Sequence, residues 1–296
     1  MNTLVPLPLY ELARRQLDAH GVAQGKLVTD IPGLSIVREV QPSPLNHDIP
    51  APMVALVLQG EKTVTAGAHV THLKPGDSLL IAADVPTVSQ VVRASADRPY
   101  TSIIIDLDPA VIEPLLLEID GLPDGGHAVR SQTTTPEVAD TASRLLDLLD
   151  RPAALPILRD GLIRELHFWL LSGAHGGAIR HLGMTHSHHQ RIARAVSLIR
   201  TRYSQPLRVE QLAETAGMSA SAFHQHFKQI TTLTPLQFQK QLRLIEARQR
   251  LLARGASIAD AAYGVGYESI PQFTRDYARM FGAPPAKDRR AQTQAA

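Results

Sequence analysis

The chain has 296 residues, 44% of them hydrophobic, and no cysteine, which allows about two folded cores and excludes disulfides and thiolate metal sites. A formal net charge of +2 conceals an imbalance: His186–Ala296 carries 16 Lys+Arg against 7 Asp+Glu, a net +9, whereas Met1–Thr185 carries 14 against 21, a net −7. There is no long apolar run and no leader pattern, so a cytoplasmic chain without a membrane partner is expected, and a basic module beside an acidic one is the charge pattern of a nucleic-acid binder with a second domain.

Taken in order, Leu9–Ala19 is expected to be a short helix, after which Gly21, Gly25, Pro32 and Gly33 punctuate the chain. Between Leu34 and Asp108, short apolar runs at 34–40, 53–59, 62–66, 69–73, 77–82, 88–94 and 101–108 are each bounded by Gly, Pro, Asp or Asn. Strands so closely spaced predict a sandwich or barrel, with hairpin turns at Gln59-Gly60-Glu61 and Ala66-Gly67-Ala68. A metal-binding barrel needs converging His and acid ligands; His69 and His72 lie in one strand at a spacing that puts them on opposite faces, so neither metal nor cofactor is expected. Asp77, Asp84, Asp106 and Asp108 each fit a turn or strand end, and no nucleophile motif, phosphate-binding glycine loop or HExxH occurs, so no catalytic residue is assigned.

Beyond Asp108 the spacing turns helical, at Pro109–Ile119, Pro136–Leu149 and Pro156–Leu171. The last carries a wide apolar stripe that includes Ile157, Leu158, Leu162, Leu166 and Leu170, expected to pack on the barrel, with a homodimer contact as the alternative. Ser172–His189 is rich in Gly, Ser and His and reads as a linker. Its histidines (His175, His181, His186, His188 and His189) lack ligand spacing and are expected to be solvated.

The remainder is helical and internally repeated. Val209–Ala216 and Ala220–Ile230 flank Gly217; Ser257–Tyr263 and Ile270–Phe281 flank Gly266. Each pair reads as a helix-turn-helix, with Ser219 and Ser269 as caps of the second helices and Phe223/Phe227 and Phe273/Tyr277 as inward anchors. A long helix from Pro235 to Gly255 joins them, with Leu236, Phe238, Leu242, Ile245, Ala247 and Leu251 inward and Lys240, Arg243, Arg248 and Arg250 outward. Opposite the anchors, the first recognition helix presents Ser221, His224 and Gln225 to bases, and the second presents Ile270, Pro271, Thr274 and Arg275. Gln225 suits adenine, Arg275 suits the O6 and N7 of guanine, and Ile270 suits a thymine methyl. Lys228, Lys240, Arg243 and Arg279 are expected to contact phosphates.

Two helix-turn-helix motifs joined by one helix, with Ile258-Ala259, Val265-Gly266-Tyr267, Phe273, Tyr277, Phe281-Gly282 and Pro284-Pro285 in the second copy, resemble the AraC/XylS family of transcription regulators over residues 188–288. Lys74-Pro75-Gly76-Asp77 followed by an apolar strand resembles the cupin-like sensor domain of the same family over Leu34–Asp108. The resemblance implies an α+β chain: a cupin-like β-barrel with packed helices in residues 1–172, a linker at 173–187, an all-α DNA-binding domain at 188–288 and a frayed tail at 289–296. It further implies a regulator, commonly an activator, whose partners are double-stranded promoter DNA, a small-molecule effector and RNA polymerase. Two other readings stand beside it: a constitutive DNA-binding regulator whose first domain only assembles, and a cupin enzyme fused to a DNA-binding domain.

Overall fold

Val54, Leu56 and Leu58 alternate with Ala55 and Val57 along one run, and both sets are buried. A strand buried on both faces must lie inside a layered structure. A computed structural model of the chain describes residues 7–119, 128–184, 187–253 and 256–295. In it that run is β4 (Met53–Gln59), within a six-stranded antiparallel sheet ordered β1 (Gly25–Val28), β2 (Leu34–Glu39), β9 (Tyr100–Asp106), β4, β7 (Asp77–Ile81), β10 (Val129–Thr133). A second sheet of four strands is ordered β3 (Asn46–Asp48), β8 (Thr87–Arg93), β5 (Glu61–Ala66), β6 (His69–Leu73). Together they make the expected cupin-like barrel.

Even-numbered residues of β4 face one apolar cluster with Ile36 and Ile103, into which α1 (Leu7–Ala19), α2 (Pro109–Glu118), α3 (Pro136–Leu148), α4 (Leu155–Ser172) and α5 (Gly176–Gly183) also pack. Odd-numbered residues lie on the sheet's other face. Leu9, Leu17, Leu145 and Leu170 are buried in this cluster, each contributing about 2 kcal/mol of transfer free energy. Asp108 caps α2 by accepting from the Ala110 amide at 2.8 Å, and Asp77 accepts from the Lys74 amide at 2.9 Å. Both acids therefore have structural work at chain turns.

The structure departs from expectation in several places. β4 and β5 belong to different sheets, so Gly60 turns a corner between layers and not a hairpin. Its φ is +75°, and a Cβ there would stand 2.6 Å from the Arg93 carbonyl oxygen. The β5–β6 hairpin at Gly67 forms as read. β1, β3 and β10 are short or polar, and only pairing with a neighbour makes them strands. Ile157 and Leu158 do not join the core: they are 77% and 52% exposed, while Leu166, Leu170 and Leu171 of the same helix are buried.

The stretch read as a linker is largely structure. α5 lies inside it, with Ala178 and Ile179 in the core, and the first of two compact units runs Met1–Gln190, the second Arg191–Ala296. The glycines that made the stretch look flexible instead allow close approach: a Cβ on Gly176 would overlap the Leu171 carbonyl, and one on Gly183 the Ile112 side chain. His186 lies outside the described residues. His175 is not solvated but 1% exposed, its Nε2 3.0 Å from the Ser78 hydroxyl. His167 is also buried; its Nε2 accepts from the Asp108 amide and its Nδ1 faces the Ile163 carbonyl at 2.8 Å, which places the proton on Nδ1.

Burial, reinforced by Arg130, pushes the His175 pKa down from 6.5 to about 4. A histidine with a lowered folded pKa is neutral in the fold, so its stability is present above 6.5 and lost as pH falls towards 4. Between pH 7 and pH 5 the amino-terminal unit should lose about 2 kcal/mol through this residue. Thermal denaturation at the two pH values should show a smaller acid-induced drop for His175→Gln than for the wild type; an unchanged drop would assign the acid sensitivity elsewhere.

Candidate nucleic-acid interface

The carboxy-terminal unit is built on α6 (His188–Arg202), α7 (Val209–Ala216), α8 (Ala220–Thr231), α9 (Pro235–Ala253), α10 (Ile258–Gly264), α11 (Ile270–Phe281) and α12 (Pro285–Ala295). α7 ends where Gly217 turns left-handed, and the Met218 amide donates back to the Ala213 carbonyl at 2.9 Å. The second copy repeats this closure at Gly266 (φ +86°), with the Tyr267 amide on the Ala262 carbonyl at 3.0 Å. Ser219 caps α8 through the Ala222 amide and Ser269 caps α11 through the Gln272 amide. Pro271 lies in the first turn of α11, where a missing N–H costs nothing.

The inward anchors pack as aromatic pairs. Phe223 and Phe227 are 5.4 Å apart, and Phe227 meets Phe238 of α9 edge-on at 5.6 Å. Phe273 stacks edge-on against Tyr267 and Tyr277 at 5.3 and 5.5 Å. Leu244, Ala247 and Leu251 of α9 serve the second motif's core, while Phe238 serves the first. The joining helix is thus apolar on two sides. Leu236, expected inward, is 72% exposed. It shares the azimuth of Ala247 but lies about 16 Å before it along the helix, out of reach of the second motif. Gly255, the expected helix stop, lies outside the described residues. α12 spans most of the expected tail, and its first turn is held by Asp288, which accepts from Tyr277 Oη at 2.7 Å and from Arg248 Nε at 2.9 Å.

Burial fixes one face of each recognition helix, and the opposite face carries the expected base readers. On α8, Ser221, His224, Gln225 and Lys228 are exposed, and none of their side chains hydrogen-bonds or ion-pairs with another described residue. On α11, Pro271 and Arg275 are exposed while Ile270 and Thr274 are half-buried. The Arg275 guanidinium is likewise free of intramolecular partners among the described residues. With Phe223 matched to Phe273, Gln225 falls on Arg275 and Gln229 on Arg279. Gln272 and Gln229 are also exposed and belong to the same faces. The repeat offset of 50 between Phe223 and Phe273 is the signal that would have found Gln229, the counterpart of Arg279; Gln272 matches Ala222 and has no such signal.

The four expected phosphate contacts divide. Lys228 is exposed, and Arg279 is 79% exposed with only a long 3.8 Å contact to Asp276. Lys240 pairs with Asp276 at 2.7 Å. Arg243 is turned inward: its guanidinium donates to the carbonyls of Tyr203 at 2.6 Å, Gly266 at 2.9 Å and Gln205 at 3.0 Å. Sequence spacing placed it outward because helical periodicity does not register a loop folding over the helix. Gln239 reaches the same loop, donating to the Tyr203 and Gln205 carbonyls. Arg248 and Arg250 are also engaged, with Asp288 and with the Tyr203 hydroxyl. Burial pushes the Tyr267 and Tyr277 phenols well up, and Asp276 and Asp288 beside them add to the shift, so both hydroxyls donate to those carboxylates.

Among the described residues no group of three His, Cys, Asp or Glu is placed to hold a metal, and no helix is long and apolar enough to cross a membrane. A family model described as the AraC-type transcriptional regulator N-terminus matches residues 30–178, and a helix-turn-helix domain model matches 212–291. The virulence regulon transcriptional activator VirF of Yersinia enterocolitica is 24% identical over 248 residues, 79% of this chain and 87% of that protein. The regulator ArgR of Pseudomonas aeruginosa is 32% identical over 103 residues, which span 35% of this chain and 31% of that protein. ToxT from Vibrio cholerae superposes with a TM-score of 0.59 at 9% identity, over 89% of this chain and 97% of that one. ToxT bound to an unsaturated fatty acid gives 0.58 at 9% identity, over 88% and 94%.

Proposed function

The chain belongs to the AraC family of transcriptional regulators, and we propose that it reads one asymmetric operator by inserting α8 and α11 into successive major-groove segments. The observation that carries this is the pair of equivalent, partner-free polar faces on helices whose other faces are locked by aromatic anchors. An exposed side chain without an internal partner is available to a base edge at no cost in lost protein hydrogen bonds. Gln225 and Arg275, at matched positions, are the principal readers, with Ser221, His224, Ile270, Pro271 and Thr274 around them. Lys228 and Arg279 take phosphates. Arg243 is assigned to the frame and Lys240 to its pair with Asp276. A joining helix with apolar contacts on both motifs sets the readers about one DNA turn apart, roughly 34 Å.

The amino-terminal unit, extended to include α5, binds a small effector and changes how the second unit engages DNA. The fatty-acid-bound structure of a fold relative supports this reading, as the description of VirF as a transcriptional activator supports activation; RNA polymerase is the partner that activation would engage. Ile157 and Leu158 supply an exposed apolar face for self-association. Curated relatives are regulators, and no catalytic chemistry is assigned; the site of action is the cytoplasm, where the promoter lies.

Arg275→Ala should cost about 1–3 kcal/mol in operator affinity and relax preference at one base pair. Lys228→Ala should weaken binding to all sequences alike and reduce the salt slope by about one. Mobility-shift titrations on a set of single-base operator variants separate the two patterns. Unchanged operator affinity in Arg275→Ala would remove α11 from the interface.

A further inference from the structure

α6 stands before the first helix-turn-helix as α9 stands before the second, and each sends an arginine to the turn that follows. From α9, Arg243 Nη1 donates to the Gly266 carbonyl at 2.9 Å. From near the start of α6, Arg191 Nε donates to the Ala216 carbonyl at 2.8 Å, and its Nη2 would stand 3.5 Å from a Cβ on Gly217. At the repeat offset of 50, Arg243 falls on Ala193 and not on Arg191. The likeness therefore lies in the fold and not in the aligned sequence.

Ala216 ends α7, and the last carbonyls of a helix have no donor within it. The left-handed closure serves two of them: the Gly217 amide donates to Glu214 and the Met218 amide to Ala213. The Ala216 carbonyl takes its donor from outside the motif. Ala216 is 0% exposed, so bulk water does not reach that oxygen, and a buried acceptor without a donor is costly. α8 starts at Ala220, so the bond that fixes Ala216 fixes the pivot of the first recognition helix. Gln225 lies about 9 Å beyond the Ser219 cap at 1.5 Å per residue. A swing of about 10° at the turn would displace it by about 1.5 Å, more than a bidentate base contact tolerates. Arg191 uses only Nε in this way among the described residues, whereas Arg243 spreads three nitrogens over three carbonyls.

We propose that Arg191 is a positioning residue for base reading: its Nε–H holds the turn of the first helix-turn-helix and so aims α8. This rests on the reading of α8 as a base-reading helix and names the residue that orients it.

The probe is a duplex that the full-length wild type selects from a random library, together with its single-base variants. Gln225→Ala marks the base pairs read by α8, and Arg275→Ala those read by α11. Arg191→Met keeps the side-chain bulk and removes the donor. It should lower discrimination at the α8 base pairs at least about fivefold, the lower end of what a bidentate contact supplies, and leave the α11 base pairs within about twofold. Arg191→Gln carries an N–H as many bonds from Cα as Nε, without the charge, and should restore discrimination. Equal loss at both sets of base pairs, or no loss, overturns the proposal. Rescue by Arg191→Lys but not by Arg191→Gln, with a shallower salt dependence, also overturns it, because that pattern marks a phosphate contact. Should Arg191→Met not fold, lost discrimination at the α8 base pairs in Arg191→Gln is enough to sink the assignment.

Hydrogen exchange on the free protein separates the anchoring of the turn from the reading of bases. The Met218 amide should exchange faster in Arg191→Met and regain its protection in Arg191→Gln. With that pattern present and no base pair relaxed by Gln225→Ala, base reading by α8 fails while the anchored turn stands. Unchanged exchange in Arg191→Met overturns the anchoring itself.

Discussion

Gly266→Ala is expected to destabilise the carboxy-terminal unit by about 3 kcal/mol or more, the upper range for a point substitution. Two independent effects add there. At φ +86° an L-residue is strained, which accounts for about 1–2 kcal/mol. A Cβ would also overlap the Ser204 carbonyl oxygen, with the Ser204 carbonyl carbon at 2.7 Å; that obstacle is backbone and cannot rotate away. Relief would require the loop at 203–205 to move, and that loop is held by Arg243 and Gln239. Gly217→Ala makes the internal control. It has a similar positive φ, +61°, but its nearest neighbour would be the flexible end of Arg191 at 3.5 Å, so only the strain applies, about 1 kcal/mol. Chemical denaturation of the two variants should separate them by a factor of two or more in lost stability. Similar losses would mean that the Ser204 contact contributes little.

Arg243→Ala should cost about 2–4 kcal/mol in stability, since it strips donors from three backbone carbonyls at one junction. Tyr203 and Gln205 keep the Gln239 amide as a partner, but the Gly266 carbonyl loses the Arg243 donor. The guanidinium ties the loop after α6 to the turn of the second motif, so its removal should also loosen one recognition helix relative to the other. Operator affinity at a temperature where the variant remains folded should therefore fall more than affinity for half an operator. A loss confined to stability, with both affinities unchanged, would restrict Arg243 to packing. Arg243→Lys should rescue only partly, because one ammonium cannot span carbonyls on two chain segments as a planar fork does.

Much of the carboxy-terminal unit was legible beforehand because its signals are local. Ser219 and Ser269 cap, Gly217 and Gly266 turn, and aromatic residues recur at four-residue spacing; each depends on neighbours within one or two helical turns. The exposed polar faces of α8 and α11 followed from the same periodicity, by elimination of the anchored face. Arg243 did not, because its partners at 203, 205 and 266 come from other segments. Asp288 was missed for the same reason: the tail's polar composition reads as frayed until Tyr277 and Arg248 are seen to meet it. Glycine misled in the opposite sense at 176 and 183, where it permits contact and does not loosen the chain.

By itself, then, the sequence determined the fold class, the order of the β-rich and helical halves, the two helix-turn-helix motifs and the face of each recognition helix. These follow from periodicity, capping and turn chemistry, whose range is a few residues. Tertiary structure alone decided that Gly60 turns between sheets, that α5 closes the first unit, that Arg243 is a clamp and that the Lys62 ammonium lies over the ring of Tyr100 from the facing sheet. Each of these depends on which distant segment arrives opposite a residue, and hydrogen bonding and desolvation at such contacts are set by the fold as a whole.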